Sequence, residues 1–139
     1  MNAKLELVRN WLTIAYHDLA AAKKLSTGSD PYFDVAVYHC QQAAEKAVKG
    51  FLVFHDQPFE KTHDIGVLIA LAQRFDTGFS MWLEAAVRLT PYATEFRYPS
   101  GLLAATRDEF EEALAAASGL YSFVLSLLPA EVHTTGTAL

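Results

Sequence analysis

A row of polar side chains near residue 45 has the residue types and the spacing of a binding surface. Four of them recur at intervals of three and four residues, which places them on one face of a helix: His39, Gln42, Lys46 and Lys49. Gln41, Glu45 and Lys49 form the neighbouring row, in which Glu45 and Lys49 have the order of a favourable pair. Two interpretations stay open. The row is a solvated helix face, or it hydrogen-bonds a base, a ribose or a partner helix.

A second candidate binding site is the segment Arg97-Tyr98-Pro99. An arginine beside a tyrosine, held by a proline, suits the recognition of phosphate or carboxylate. Arginine also stacks on aromatic rings, and Phe96 and Tyr98 flank this one. The alternative is structural, with Arg97 capping the preceding helix or pairing with Glu95.

Several classes of active site are excluded by motif. The five histidines form no HExxH pair and have no cysteine cluster beside them, so no metal site is expected. There is no Gly-x-Ser-x-Gly segment and no glycine-rich phosphate loop. The single cysteine, Cys40, falls at an apolar helical position and is interpreted as a small buried hydrophobic residue. The sequence therefore predicts no catalytic residue and no cofactor.

The charge and hydropathy of the chain limit its partners. Its net charge is −5, whereas a general nucleic-acid binder needs a basic face, so any RNA contact must be local. Hydrophobic residues make up 52% of the chain, which suggests a surface buried against a second copy or another protein. No signal peptide or membrane span is recognised, so we expect a cytoplasmic protein without membrane contact.

Five segments with helical periodicity must position these side chains. The first covers residues 4–25 and ends at Gly28, which suits a left-handed stop. The remaining boundaries are set by capping residues, glycines and prolines. The second helix opens at Asp30-Pro31, the third at Thr62, the fourth at Ser80 with an end or kink at Pro91, and the last at the capping box Thr106–Glu109.

Apolar stripes in these helices predict the fold. The stripe of the second helix includes Ala44 and Ala47, small residues that let another helix approach closely. The third helix is expected to turn Ile65, Leu68, Ala72 and Phe75 inward. Three helices of about 20 residues joined by short loops pack antiparallel. The sequence thus predicts an all-α, up-and-down bundle of four to five helices over residues 1–129, with a flexible tail at 130–139.

Three segments, in order along the chain, carry a resemblance to a known family. They are Gln41-Gln42-Ala43-Ala44-Glu45-Lys46, Lys61-Thr62-His63-Asp64 and Arg97-Tyr98-Pro99. The first helix adds Ala15 and the run Asp18-Leu19-Ala20. Together, over roughly residues 5 to 128, they resemble the HEPN domain family, named for nucleotide binding in higher eukaryotes and prokaryotes.

The resemblance implies a helical bundle that usually dimerises and that binds nucleotides or RNA. Members often act with a minimal nucleotidyltransferase, and some of these pairs are toxin–antitoxin systems. A large branch consists of metal-independent RNases whose motif is an arginine followed, after four to six residues, by a histidine. Arg97 matches the arginine, but the positions for the histidine hold Leu102, Leu103 and Ala104.

We therefore expect a non-catalytic binding module for a nucleotide or RNA, dimeric and partnered with a nucleotidyltransferase-type protein. The predicted contact residues are Arg97, Tyr98, His39, Gln42, Lys46, Lys49 and His63. Two alternatives remain: a diverged RNase that uses Arg97 with His63, or with His39 contributed across a dimer, and a purely structural homodimer.

Overall fold

The computed structural model describes residues 1–96, 98–99 and 104–133. Five α-helices form the fold: α1 (Ala3–Leu25), α2 (Phe33–Phe54), α3 (Ile65–Ala72), α4 (Leu83–Leu89) and α5 (Arg107–Ser126). Single 3-10 segments lie at Thr77–Trp82, Thr90–Ala93 and Ala130–Val132. The described residues contain no strand. The prediction of an all-α, up-and-down bundle is confirmed.

Helix α2 is the centre of the bundle, because it packs against α1, α5 and α3. The predicted stripes of α1, α2 and α5 supply most of the core. Ala44 and Ala47 are fully buried, as expected for residues that let helices approach closely. Cys40 is fully buried as well, which confirms its interpretation as a core residue.

The ends of the helices follow capping chemistry. At the start of α5, the Thr106 hydroxyl accepts a hydrogen bond from the Glu109 N–H, and the Glu109 carboxylate accepts one from the Thr106 N–H. This confirms the predicted capping box. Gly28 has a φ of 89°, so the stop after α1 uses the left-handed region that glycine tolerates.

Several predicted boundaries are corrected. The second helix begins at Phe33 rather than at Asp30, and its N-cap, Tyr32, makes no side-chain cap. The third helix begins at Ile65, because the Asp64 side chain rather than that of Thr62 accepts from the Gly66 and Val67 N–H groups. The fourth α-helix begins at Leu83, since the chain forms a 3-10 segment first.

Two aromatic residues, Phe75 and Trp82, lie in the segment between α3 and α4. Phe75, predicted to face inward, is 40% exposed, although its ring stacks on His55 with centroids 4.5 Å apart. It lies beyond the end of α3, so the helical period no longer sets its direction. Trp82 packs on Gly119 of α5, where a Cβ would lie only 2.7 Å from the indole ring. A larger residue at 119 would displace this tryptophan.

The chain past α5 turns back toward the core. Val132 is fully buried, and His133 Nε2 donates to the Leu125 carbonyl at 2.8 Å. Residues 134–139 lie outside the described residues, so the division of the chain at residue 129 stays a prediction.

We expect overpacking at the close helix contacts to destabilise the fold. Ala44→Leu adds three carbon atoms at a fully buried position, and such changes cost about 1–3 kcal/mol. Urea unfolding followed by circular dichroism measures the loss. Ala115→Leu is the matched control, because Ala115 lies on the exposed side of α5. Equal stability of the two variants would contradict a tight contact at residue 44.

Candidate functional site

The polar row of α2 is buried or half-buried, so the interpretation as a solvated helix face is wrong. Glu45 is 3% exposed and Lys49 is 6% exposed, and Gln41 and Gln42 are also buried. The face is covered by α1, which supplies Asp18, on one side and by the segment 57–64, which supplies Phe59 and His63, on the other. Buried charges and amides of this kind are stable only when they are paired.

The first centre of pairing is the carboxylate of Glu45. Lys49 Nζ donates to its Oε2 at 2.8 Å, and His63 Nδ1 donates to its Oε1 at 2.8 Å. Gln41 Nε2 donates to Oε1 at 3.1 Å and to the His63 carbonyl at 3.0 Å. The predicted Glu45–Lys49 pair is therefore confirmed, and it is part of a larger assembly that fixes the segment before α3.

These bonds control the ionisation of Glu45. Burial alone would raise its pKa, but the hydrogen bonds from Lys49, His63 and Gln41 outweigh that effect. The pKa of Glu45 is consequently lowered below its ordinary value of 4.5. Glu45 is a carboxylate at neutral pH.

The second centre is the carboxylate of Asp18 on α1. His39 Nδ1 donates to its Oδ1 at 2.8 Å, and Lys46 Nζ donates to its Oδ2 at 3.3 Å. Lys46 Nζ also donates to Gln42 Oε1 at 3.0 Å. This centre joins α1 to α2 through charge-assisted hydrogen bonds.

A single amide contact links the two centres. Gln42 Nε2 donates to Gln41 Oε1 at 2.6 Å, so the hydrogen bonds run without a break from His39 to His63. We call this assembly the α2 network; its members are Asp18, His39, Gln41, Gln42, Glu45, Lys46, Lys49 and His63. Two carboxylates balance two ammonium groups, so the network has no net charge while both histidines are neutral.

Aromatic rings cover the Lys49 end of the α2 network. Lys49 Nζ lies 5.9 Å from the centroid of the Trp11 ring and 5.7 Å from that of Phe59. The two rings meet edge to face, with centroids 6.4 Å apart. These cation–π contacts stabilise the buried ammonium group and close this end of the network to solvent.

The two histidine ends remain accessible. The side chains of His39 and Lys46 are 28% and 22% exposed, and that of His63 is 66% exposed. The Ile65 N–H donates to Thr90 Oγ1 at 3.2 Å, which ties the segment of His63 to the 3-10 segment Thr90–Ala93. His63 and the 3-10 segment therefore lie on the same side of the bundle, and the chain continues from that segment toward Arg97.

The predicted site residues lie in two places, the α2 network and the loop. Five of them belong to the α2 network: His39, Gln42, Lys46, Lys49 and His63. Tyr98 is exposed and belongs to the loop, whereas Arg97 lies outside the described residues.

No group of three or more His, Cys, Asp or Glu that could hold a metal ion is found in the described part of the chain. Among the described helices, none is long and apolar enough to cross a membrane.

Asp18 was not recognised as a site residue from the sequence, whereas Gln41 and Glu45 were placed in the polar row but not among the predicted contact residues. The sequence nevertheless indicates that Asp18 is buried, because it lies three residues after Ala15 and four before Ala22, on the buried stripe of α1. A carboxylate on such a stripe requires partners from another element.

The ionised Glu45 should stabilise the fold in a pH-dependent way. Its folded pKa is lowered, so its contribution is present above about pH 4.5 and is lost as pH falls through the folded pKa. We expect Glu45→Gln to lower the free energy of unfolding by about 3 kcal/mol at pH 7, because buried Lys49 loses its counter-ion.

Urea unfolding at a series of pH values measures this effect, with exposed Glu111→Gln as the control. The difference between Glu45→Gln and the parent protein should shrink on acidification. A difference of the same size at acidic pH would contradict the pairing of Glu45.

Burial also sets the reactivity of the single thiol. Desolvation, with a smaller effect from the negative charge of Asp18, raises the pKa of Cys40 to about 12. We expect the native protein at pH 8 to react with a thiol reagent only through unfolding, because the thiolate is the reactive form. Release of chromophore from Ellman's reagent measures this, and the urea-unfolded protein is the control. Rapid labelling of the native protein would contradict the buried position.

Comparison with known proteins gives an independent assignment. The family model described as HEPN domain matches residues 8–127. A search of curated proteins gave no match.

Two solved structures are similar over nearly their full length. TT1696 from Thermus thermophilus shares 35% identity with a TM-score of 0.75, and the match covers 87% of this chain and 98% of that one. ST0689, an archaeal HEPN homologue, shares 27% identity with a TM-score of 0.68, covering 86% and 96%. The chain belongs to the HEPN domain family.

Proposed function

We propose that this chain is a non-hydrolytic HEPN module that binds a nucleotide or RNA and works as a homodimer with a nucleotidyltransferase-type protein, in a pair of the toxin–antitoxin kind. The ligand contacts are Arg97 and Tyr98 of the loop together with His63 at the adjoining end of the α2 network. The observation that carries the proposal is the bond between Ile65 and Thr90, which holds the segment of His63 against the 3-10 segment that precedes Arg97 in the chain.

The chemistry of the loop favours binding over hydrolysis. Cleavage of RNA requires a group that moves a proton at the 2′-hydroxyl, and histidine is the usual choice because its pKa lies near neutrality. At the positions where the family's RNase motif has histidine, this chain has Leu102, Leu103 and Ala104. These side chains cannot take or give a proton.

Electrostatics favour a small, local ligand contact. The α2 network has no net charge with neutral histidines, and the whole chain carries −5. Attraction of phosphate must therefore come from Arg97 and the exposed edge of the network. The interaction should weaken with salt, as contacts between exposed charges do.

Exposed apolar side chains support protein partners. Leu7 and Ile14 share one face of α1 and are 48% and 45% exposed. Leu83 and Val87 share a face of α4, with Met81 exposed just before it. Two such surfaces are consistent with one contact to a second copy and another to a different protein.

One observation favours the alternative of a diverged RNase. Both histidines of the α2 network donate Nδ1–H to a carboxylate, an arrangement that suits a general base. Prolonged incubation of the pure protein with RNA separates the two functions. We expect the RNA to remain intact, and cleavage that is lost in His63→Gln or His39→Gln would establish the alternative.

Ligand binding is tested by thermal shift with ATP, AMP, GTP and a short RNA. A ligand at about 100 times its dissociation constant stabilises the fold by about 2.7 kcal/mol, which raises the Tm by about 9 °C for a domain of this size. We expect Arg97→Ala to abolish the shift while leaving the Tm of the free protein nearly unchanged.

The matched control is Arg9→Ala, because Arg9 is an exposed arginine of α1. Loss of the shift in both variants would indicate nonspecific attraction. No shift with any ligand would contradict nucleotide binding and would leave the structural homodimer as the function. If Arg97→Ala unfolds the protein, the arginine is a structural clamp.

A further inference from the structure

The Asp18 end of the α2 network has the features of a second anion site. Asp18 holds His39 and Lys46 side by side, through bonds of 2.8 Å and 3.3 Å to its two oxygens. The carboxylate itself is nearly covered, whereas the two side chains that it holds reach solvent. This end is formed by α1 and α2, and the bond between Ile65 and Thr90 lies near the other end, that of His63.

The hydrogen bonds leave one unused polar group on each of these two side chains. Donation from Nδ1 to Asp18 fixes the His39 ring, and its Nε2 makes no hydrogen bond within the described residues. Lys46 has three N–H donors, of which two go to Asp18 and Gln42. A ligand at this end therefore meets an imidazole Nε2 and an ammonium N–H, both held in place.

We infer that His39 and Lys46 form a phosphate subsite, with Asp18 as the residue that positions them. In the bound state His39 carries protons on both nitrogens and donates Nε2–H to a phosphate oxygen, and Lys46 donates its third N–H. The inference deepens the proposed function, on which it rests for the source of the phosphate: the phosphate group of a nucleotide or of an RNA strand.

A cation is the wrong ligand for this end. A carboxylate-bound histidine is a familiar metal ligand, but a metal ion needs further ligands. The Lys46 ammonium group lies beside the ring and repels positive charge. With His39 protonated, two positive groups face one negative group, so the local charge of +1 favours an anion.

The role of Asp18 gives a sharp test, because two accounts predict opposite results. If only charge mattered, Asp18→Asn would strengthen phosphate binding, since it removes a negative charge near the anion. If Asp18 positions His39 and Lys46, the same change replaces one acceptor oxygen by an NH2 donor, so at least one of the two side chains loses its bond and binding weakens. The substitution keeps the size of the side chain.

The experiment is NMR of protein labelled in its histidine rings, titrated with inorganic phosphate at about pH 6, just below the ordinary imidazole pKa of about 6.5. We expect the His39 ring signals to move saturably. Lys46→Gln should weaken the apparent affinity about tenfold, the usual effect of one charge-assisted hydrogen bond, and Asp18→Asn should weaken it comparably. The spectrum of each free variant verifies its fold.

Matched controls are His17→Gln and Lys24→Gln, since both residues are exposed on α1 and make no side-chain hydrogen bond within the described residues. Both should bind phosphate as the parent protein does. Unmoved His39 signals, unchanged binding in Lys46→Gln, or tighter binding in Asp18→Asn would each overturn the inference.

A parallel titration with AMP separates this inference from the proposed function. If Arg97→Ala abolishes AMP binding while inorganic phosphate never moves His39, the proposed function holds and the subsite does not exist. If phosphate moves His39 but AMP binding does not depend on Arg97, the subsite holds and the loop is not the ligand site.

Discussion

The carboxylate of Glu45, 3% exposed in the middle of α2, is the constraint on which the rest of the structure depends. An unpaired carboxylate at such a position costs about 3–5 kcal/mol, which is a large fraction of the stability of a domain, about 5–15 kcal/mol. Its partners come from α2 itself and from His63, so the segment before α3 is fixed against α2. Through Gln41 and Gln42 the same assembly reaches Asp18, and α1 is fixed as well. A helix face that is polar in sequence thus behaves as part of the interior.

This constraint shapes what the domain can bind. Most polar groups of the α2 network are used by one another, so the network interior is not available to a ligand. Only its ends, at His39 with Lys46 and at His63, combine exposure with a fixed orientation. Fixed groups lose little conformational entropy when they bind, which is an advantage for a site of few contacts. Because the positions for the histidine of the RNase motif hold Leu102, Leu103 and Ala104, we propose that such ends hold a phosphate group and do not cleave RNA.

The sequence predicts the scaffold well and the site only in part. The three long stripes, the Thr106–Glu109 capping box and the left-handed Gly28 depend on neighbours in sequence, and all are found. The burial of the polar row could not be read from the row itself, because helical spacing is the same for a solvated face and a covered one. Its cover comes from Asp18, 21 residues before His39, and from His63, 18 residues after Glu45. The start of α3 was misplaced because Thr62 and Asp64 are both good caps, and only the fold decides which side chain meets the free N–H groups.

The central claim is that one continuous network joins Asp18 to Glu45, and a double-mutant cycle tests it most directly. The free energy of unfolding would be measured for Asp18→Asn, Glu45→Gln and the double variant. The account predicts coupling of at least about 0.5 kcal/mol, because the two carboxylates share the Gln41–Gln42 link. Additivity to within about 0.3 kcal/mol would mean that the two centres are independent ion pairs, and would contradict it.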